Sequence, residues 1–200
     1  MAAPIGRIQV IMSGFQGSPG LMQFYWNGAT PGVFVGADAT AAIAAVRAFL
    51  LGAQSAFSNG VSMQVVNTVE TVEATTGQVI GIVSGTAVAA VAGSATGSLT
   101  ASQGPLVQWL TSTVVGRRLL RGRTFLTPSG TSAIGSNGLV VAGVTTAILT
   151  AGATYIASTP AQPVIWHRPV PYGTGTNGVA AVIAGVSSPA KVAVLRSRRD

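Results

Sequence analysis

The segment Asp38-Ala-Thr-Ala-Ala-Ile-Ala-Ala-Val-Arg-Ala-Phe-Leu-Leu-Gly-Ala-Gln-Ser-Ala-Phe-Ser58 decides the fold class. Ile43, Val46, Leu50, Ala53 and Phe57 recur along it at intervals of three and four, which places them on one stripe of an α-helix. Asp38 or Thr40 is available as N-cap, and Asn59-Gly60 as the C-terminal stop. A hundred residues on, Val141, Val144, Ile148, Ala151 and Tyr155 repeat the spacing within residues 138–158, with Ser136 or Asn137 as cap and Pro160 as stop. Threonines and glycines weaken this second helix.

Working outward, each helix sits in a similar frame. Gln23-Phe-Tyr-Trp26 reads as an aromatic strand entering a Gly/Thr/Pro loop, and Arg123-Thr-Phe-Leu126 enters the same kind of loop. After the helices come extended segments at 61–66 and 163–167, then second ones at 78–84 and 179–187. The expected fold is therefore α+β: two similar strand-helix-strand-strand units, residues 21–85 and 121–188, placing antiparallel strands against two helices in one domain, 1–200. Two such units can pair their sheets. Residues 5–12, 106–115 and 191–198 read as further strands, and the Gly/Ala/Ser/Thr-rich connector 86–104 as a loop. Four Asn-Gly pairs, at Asn27, Asn59, Asn137 and Asn177, mark turns or helix ends. A single jelly roll is the alternative, disfavoured by helices of this length.

Composition narrows the function. Only 8% of the 200 residues are charged and 48% are hydrophobic, with a mean hydropathy of +0.54, where a soluble domain carries about a quarter charged residues. That excludes a disordered chain. The acids are Asp38, Glu70, Glu73 and Asp200; there is one histidine and no cysteine, so disulfides, zinc-thiolate sites and thiol chemistry are excluded. An enzyme needing several ionisable groups is disfavoured, and no cofactor is expected. The first twelve residues lack the apolar core of a signal peptide. The uncharged window 138–158 holds threonines, serines and glycines and lacks flanking basic clusters, and 79–98 is glycine-rich and alternates β-branched with small residues as strands and turns do, so a membrane span is not expected. Subunit interfaces, which are poor in charge, explain the same deficit.

The charge is lopsided. Residues 1–100 hold two basic and three acidic residues, net −1; residues 101–200 hold nine basic residues against Asp200, net +8. Arg117, Arg118, Arg121 and Arg123 form one run, and Arg196, Arg198 and Arg199, with Lys191, form another. Guanidinium groups grip phosphate bidentately and stay charged. On a strand, Arg117, Leu119, Arg121, Arg123 and Phe125 share one face, and Arg118, Leu120, Gly122, Thr124 and Leu126 the other. The row suits a phosphate-facing strand with salt-sensitive, sequence-indifferent binding; it equally suits edge-strand gatekeepers against aggregation.

Other motifs carry less. Gly173-Thr-Gly175-Thr-Asn-Gly178 matches G-x-G-x-x-G, but no strand-to-helix passage surrounds it, and it reads as a hairpin loop. His167, between Trp166 and Arg168, has no evident triad or metal partners and reads as a packed or interfacial residue. Glu70 and Glu73 fall on opposite faces of a strand, which suits a solvated hairpin near Thr75-Thr76-Gly77 better than an acid–base pair.

The run Gly116-Arg-Arg-Leu-Leu-Arg-Gly-Arg-Thr-Phe-Leu126, the ending Lys191-Val-Ala-Val-Leu-Arg-Ser-Arg-Arg-Asp200, the strand Trp166-His-Arg-Pro169 and the early Gly17-Ser-Pro-Gly-Leu-Met-Gln-Phe-Tyr25 resemble a family of roughly 200-residue coat proteins of small environmental viruses. The resemblance spans nearly the whole chain. It implies a virion protein that assembles with itself and packages genomic DNA or RNA, with Arg117, Arg118, Arg121, Arg123, Arg196, Arg198 and Arg199 as nucleic-acid-binding residues. Residues 1–46 hold Arg7 as their one basic residue, so the long basic N-terminal arm of many coat proteins is not expected. Two alternatives stand beside it: a cellular nucleic-acid-binding module, and a membrane-associated or pore-forming protein.

Overall fold

The structure is a computed structural model. It describes residues 4–13, 20–57, 59–73, 76–94, 106–115, 118–126, 142–158, 160 and 164–172. The chain forms two antiparallel sheets and two helices, an α+β fold as the periodicity implied. No jelly roll is present among the described residues.

The first sheet is organised around β1 (Pro4–Ser13). One edge of β1 pairs along its length with β2 (Gly20–Asn27), from Ile5↔Asn27 to Met12↔Gly20. Its other edge is shared by β4 (Thr68–Glu73), which takes Pro4 to Arg7, and β3 (Ser62–Val65), which takes Val10 to Ser13. β5 (Val79–Ser84) flanks β4, and β6 (Val91–Ala92) flanks β3. Alternation along β1 separates buried Ile8, Val10 and Met12 from Arg7, Gln9 and exposed Ile11.

The helix α1 (Gly36–Gly52) lays Ile43, Val46 and Leu50 of the predicted stripe on this sheet; Ala53 and Phe57 lie beyond its end, and all five are fully buried. Its ends differ from the expected ones. The N-cap is Val35; Asp38 sits at the third helical position, and its carboxylate accepts the Val35 N–H at 2.9 Å and the Ala29 N–H at 2.8 Å. That carboxylate thus ties the approaching loop to the helix start. The helix stops at Gly52, short of Asn59-Gly60; a 3₁₀ turn (Gln54–Ala56) follows and delivers Phe57 to the core. Gly52 is needed where it stands, because a Cβ there would lie 2.8 Å from the Ala151 Cβ of the second helix.

That second helix, α2 (Ala142–Ser158), begins inside the predicted 138–158 segment and packs on α1. Tyr155 is its anchor: the ring is 1% exposed, sits 5.5 Å from Phe24, 5.4 Å from Trp26 and 6.3 Å from Phe49, and its hydroxyl donates to the Tyr25 carbonyl at 2.6 Å. The Asn27 side-chain amide donates to the Pro160 carbonyl at 2.8 Å, fastening the end of β2 to the chain just beyond α2.

The second sheet has β7 (Leu106–Val115) at its centre, between β8 (Arg118–Leu126) and β9 (Val164–Tyr172). Its other long edge brings β8 alongside β2, although among the described residues no hydrogen-bonded ladder joins the sheets. Residues 86–94 of the connector are more ordered than a free loop: the Thr86 N–H donates to the Thr40 hydroxyl, and the Gly93 and Ser94 N–H groups to the Val61 and Gln54 carbonyls. The expected strands 179–187 and 191–198, the Gly173–Gly178 loop, and the caps Ser136 and Asn137 lie outside the described residues.

Candidate nucleic-acid interface

The backbone register of the second sheet sorts its chemistry-bearing residues. Arg121 pairs with Ser112, which pairs with Trp166; Arg123 pairs with Leu110, which pairs with Arg168; Phe125 pairs with Gln108 and through it with Val170. Directly paired residues of antiparallel strands belong to one face. One face therefore collects Arg121, Arg123, Arg168, Trp166 and Phe125. The other holds Arg118, Leu120, Leu126, Trp109 and His167, the last in register with Thr111. With same-face residues about 6.7 Å apart along a strand and strands about 4.8 Å apart, Arg121, Arg123, Arg168 and Trp166 occupy the corners of a rectangle of about 7 by 10 Å.

Of the seven arginines expected to bind nucleic acid, Arg121 and Arg123 come together on this face and Arg118 falls on the opposite one, as strand alternation requires. Arg117, Arg196, Arg198 and Arg199 lie outside the described residues. Grouping cations by runs missed Arg168 and Trp166, which join the face only through the β7–β9 register. Their spacing of two was the available signal: Trp166 and Arg168 share a face of any strand that contains both.

The acids decide how this face must be balanced. Asp38 is engaged by two backbone N–H groups of the α1 entry loop. Glu70 holds Arg7 through both Nε and Nη2 at 2.6 Å and accepts the Gln9 amide at 3.2 Å, and Glu73 accepts the Thr76 hydroxyl in the β4–β5 turn. Glu70 is thus part of a cross-strand ion pair rather than a freely solvated hairpin residue. Every described carboxylate is engaged within the first sheet and its loops, so the arginines of the second sheet have no described internal counter-charge. The edge of β8 that β7 leaves free lies near β2 without a hydrogen-bonded ladder between them among the described residues.

Two further features bound the chemistry. A shallow groove of about 300 Å³ between α1 and α2 is lined by Ala41, Ala44, Ala45, Ala48 and Phe49, with the spent Tyr155 hydroxyl its one titrating group. Burial pushes both Tyr155 and Tyr25 above the ordinary phenol range, and the Arg7 guanidinium beside Tyr25 works in the opposite direction. Among the described residues there is no cluster of three His, Cys, Asp or Glu that could hold a metal, and no helix is long and apolar enough to cross a membrane.

A second surface stands out at the other end of the first sheet. β5 is an outer strand, paired among the described strands with β4 alone, and its Val79, Ile80 and Ile82 are 42%, 57% and 67% exposed. Ile82 pairs with Glu70 on the face that carries the Arg7 ion pair, whereas Val83 pairs with core residue Val69. No known protein family, curated protein or solved structure matches the chain.

Proposed function

We propose that this chain is the coat subunit of a small virus: a non-enzymatic virion protein, needing no cofactor, that assembles with copies of itself into a closed shell and packages a nucleic-acid genome. The observation that carries the reading is β5, an uncharged outer strand that exposes Val79, Ile80 and Ile82 beside Ser84. Soluble monomers blunt such edges with lysine, proline or a covering loop, because an open apolar strand templates pairing with another chain. In a subunit whose partner is itself, the edge is an interface in waiting. A self-sufficient nucleic-acid-binding module has no use for it.

The cargo follows from charge. A net charge of +7 per chain, with arginines that no described carboxylate neutralises, needs external anions. About 60 copies would carry on the order of 420 positive charges, enough for a few hundred phosphates, and a kilobase-scale genome would need more copies or added cations. Negative-stain microscopy and light scattering of the purified protein test the shell: particles of one diameter are expected, and a stable monomer at high concentration refutes it. Replacing Arg117, Arg118, Arg121 and Arg123 with Gln is expected to leave folding intact and lower the 260/280 nm absorbance ratio of the particles. An unchanged ratio removes these arginines from the packaging role.

A further inference from the structure

We propose that the β8–β7–β9 face bearing Arg121, Arg123 and Arg168 is a platform for single-stranded nucleic acid, with Trp166 and Phe125 as its base-stacking positions. The inference rests on the packaging role above and adds the form of nucleic acid that the sheet accepts. The first ground is the register, which gathers three arginines and two aromatic residues onto one face from two strands that are not themselves hydrogen-bonded partners.

The second ground is the cost of the alternative. Covering this face with the helix layer would bury three guanidinium groups against elements unable to compensate them. α2 contains no charged residue, and the only acid of α1, Asp38, already accepts two N–H groups. A buried charge without its partner is strongly destabilising. The opposite face, with Leu120, Leu126, Trp109, Ile165 and His167, carries one arginine, Arg118, in place of three. Physical chemistry thus reserves the arginine face for water or an anion.

The third ground is the interleaving of aromatic with basic positions. A duplex hides its bases from a flat sheet, which reaches only the phosphates, and there the arginines alone would count. Trp166 and Phe125 contribute only if bases are unstacked and laid on the sheet, where stacking is sequence-tolerant. The two positions lie four residues apart along the strands and two strands apart across them, about 16 Å in all. That diagonal spans a few nucleotides of an extended strand; it crosses β7 at Leu110, with Arg123 and Arg168 flanking it on either side.

The test is fluorescence-anisotropy binding of a labelled 12-nucleotide oligothymidine, and of a 12-base-pair duplex, to the full chain at subunit concentrations too low for particles. Trp166→Ala is expected to weaken oligothymidine binding roughly 5- to 100-fold and leave the duplex affinity unchanged. Trp166→Phe keeps the affinity but loses the tryptophan quenching that oligothymidine produces. Arg168→Gln weakens both ligands and lowers the salt slope for the single strand by about 0.7. Circular dichroism confirms that each variant folds; if Trp166→Ala does not, the Trp166→Phe quenching and the Arg168→Gln slope decide. Equal loss for duplex and single strand, or no loss for either, overturns the platform. Particles that form and package nucleic acid despite that result leave the shell standing, whereas the expected binding in a chain that never assembles leaves the platform standing and removes the shell.

Discussion

Removing the hydroxyl of Tyr155 tests the joint between the two halves of the structure. The residue is 1% exposed and meets aromatic rings from β2 and α1, while its hydroxyl donates to the Tyr25 carbonyl at 2.6 Å. Tyr155→Phe preserves the ring packing, deletes one buried hydrogen bond and leaves a carbonyl without that donor, a cost of about 1–2 kcal/mol. For a chain of this length each kcal/mol lowers Tm by about 2–4 °C. Tyr155→Ala also opens a cavity and is expected to cost about 3–5 kcal/mol. The phenol adds a pH signature. Burial raises its pKa in the folded state, so the neutral form that folding favours contributes its full stability below the unfolded pKa of about 10. Above that pH the unfolded chain releases a proton that the folded chain retains, and stability falls by up to about 1.4 kcal/mol per pH unit for this residue. Urea unfolding of unassembled subunits at pH 8, 10 and 11, in wild type and Tyr155→Phe, measures both effects. A Tyr155→Phe cost below about 0.3 kcal/mol, together with an unchanged alkaline slope, would refute the placement of α2 against β2.

Three further perturbations read other joints. Asp38→Ala removes the acceptor of the Ala29 and Val35 N–H groups and is expected to cost about 2 kcal/mol in urea unfolding, with Asp38→Asn recovering part of it. Gly6→Ala places a Cβ 2.3 Å from the Phe34 ring and 2.9 Å from Val69 Cγ1, an overpacking cost of about 1–3 kcal/mol; adding Phe34→Leu should recover stability in a double-mutant cycle, and strict additivity would contradict the contact. Ile82→Lys puts a charge on the most exposed apolar residue of β5; sedimentation velocity is expected to show loss of particles with monomer stability unchanged, and assembly at wild-type concentration would exclude β5 as an interface.

Periodicity made the helices legible before any coordinates. A spacing of three and four needs only the local geometry of one helix, and the residues it picked out in α1 are buried in full. Helix ends were less legible because they depend on partners distant in sequence: Gly52 closes α1 where Ala151 crosses it, and Asp38 serves the loop from Ala29 as well as the helix. The same division runs through the candidate site. Alternation alone placed Arg121 and Arg123 on one face of β8 and Arg118 on the other.

Arg168 and Trp166 entered that face only when β9 was registered against β7, since the face a strand shares with its neighbours depends on a one-residue choice of register that its own sequence does not contain. Composition by itself determined that the chain is charge-poor and that its cations outnumber its acids. Only the tertiary structure decided which acids are engaged: Glu70 is drawn to Arg7 across paired strands and Asp38 to the loop before α1. Counter-charge is a matter of distance in space, and the strand pairings and loop paths that set it join residues up to 63 positions apart in the chain.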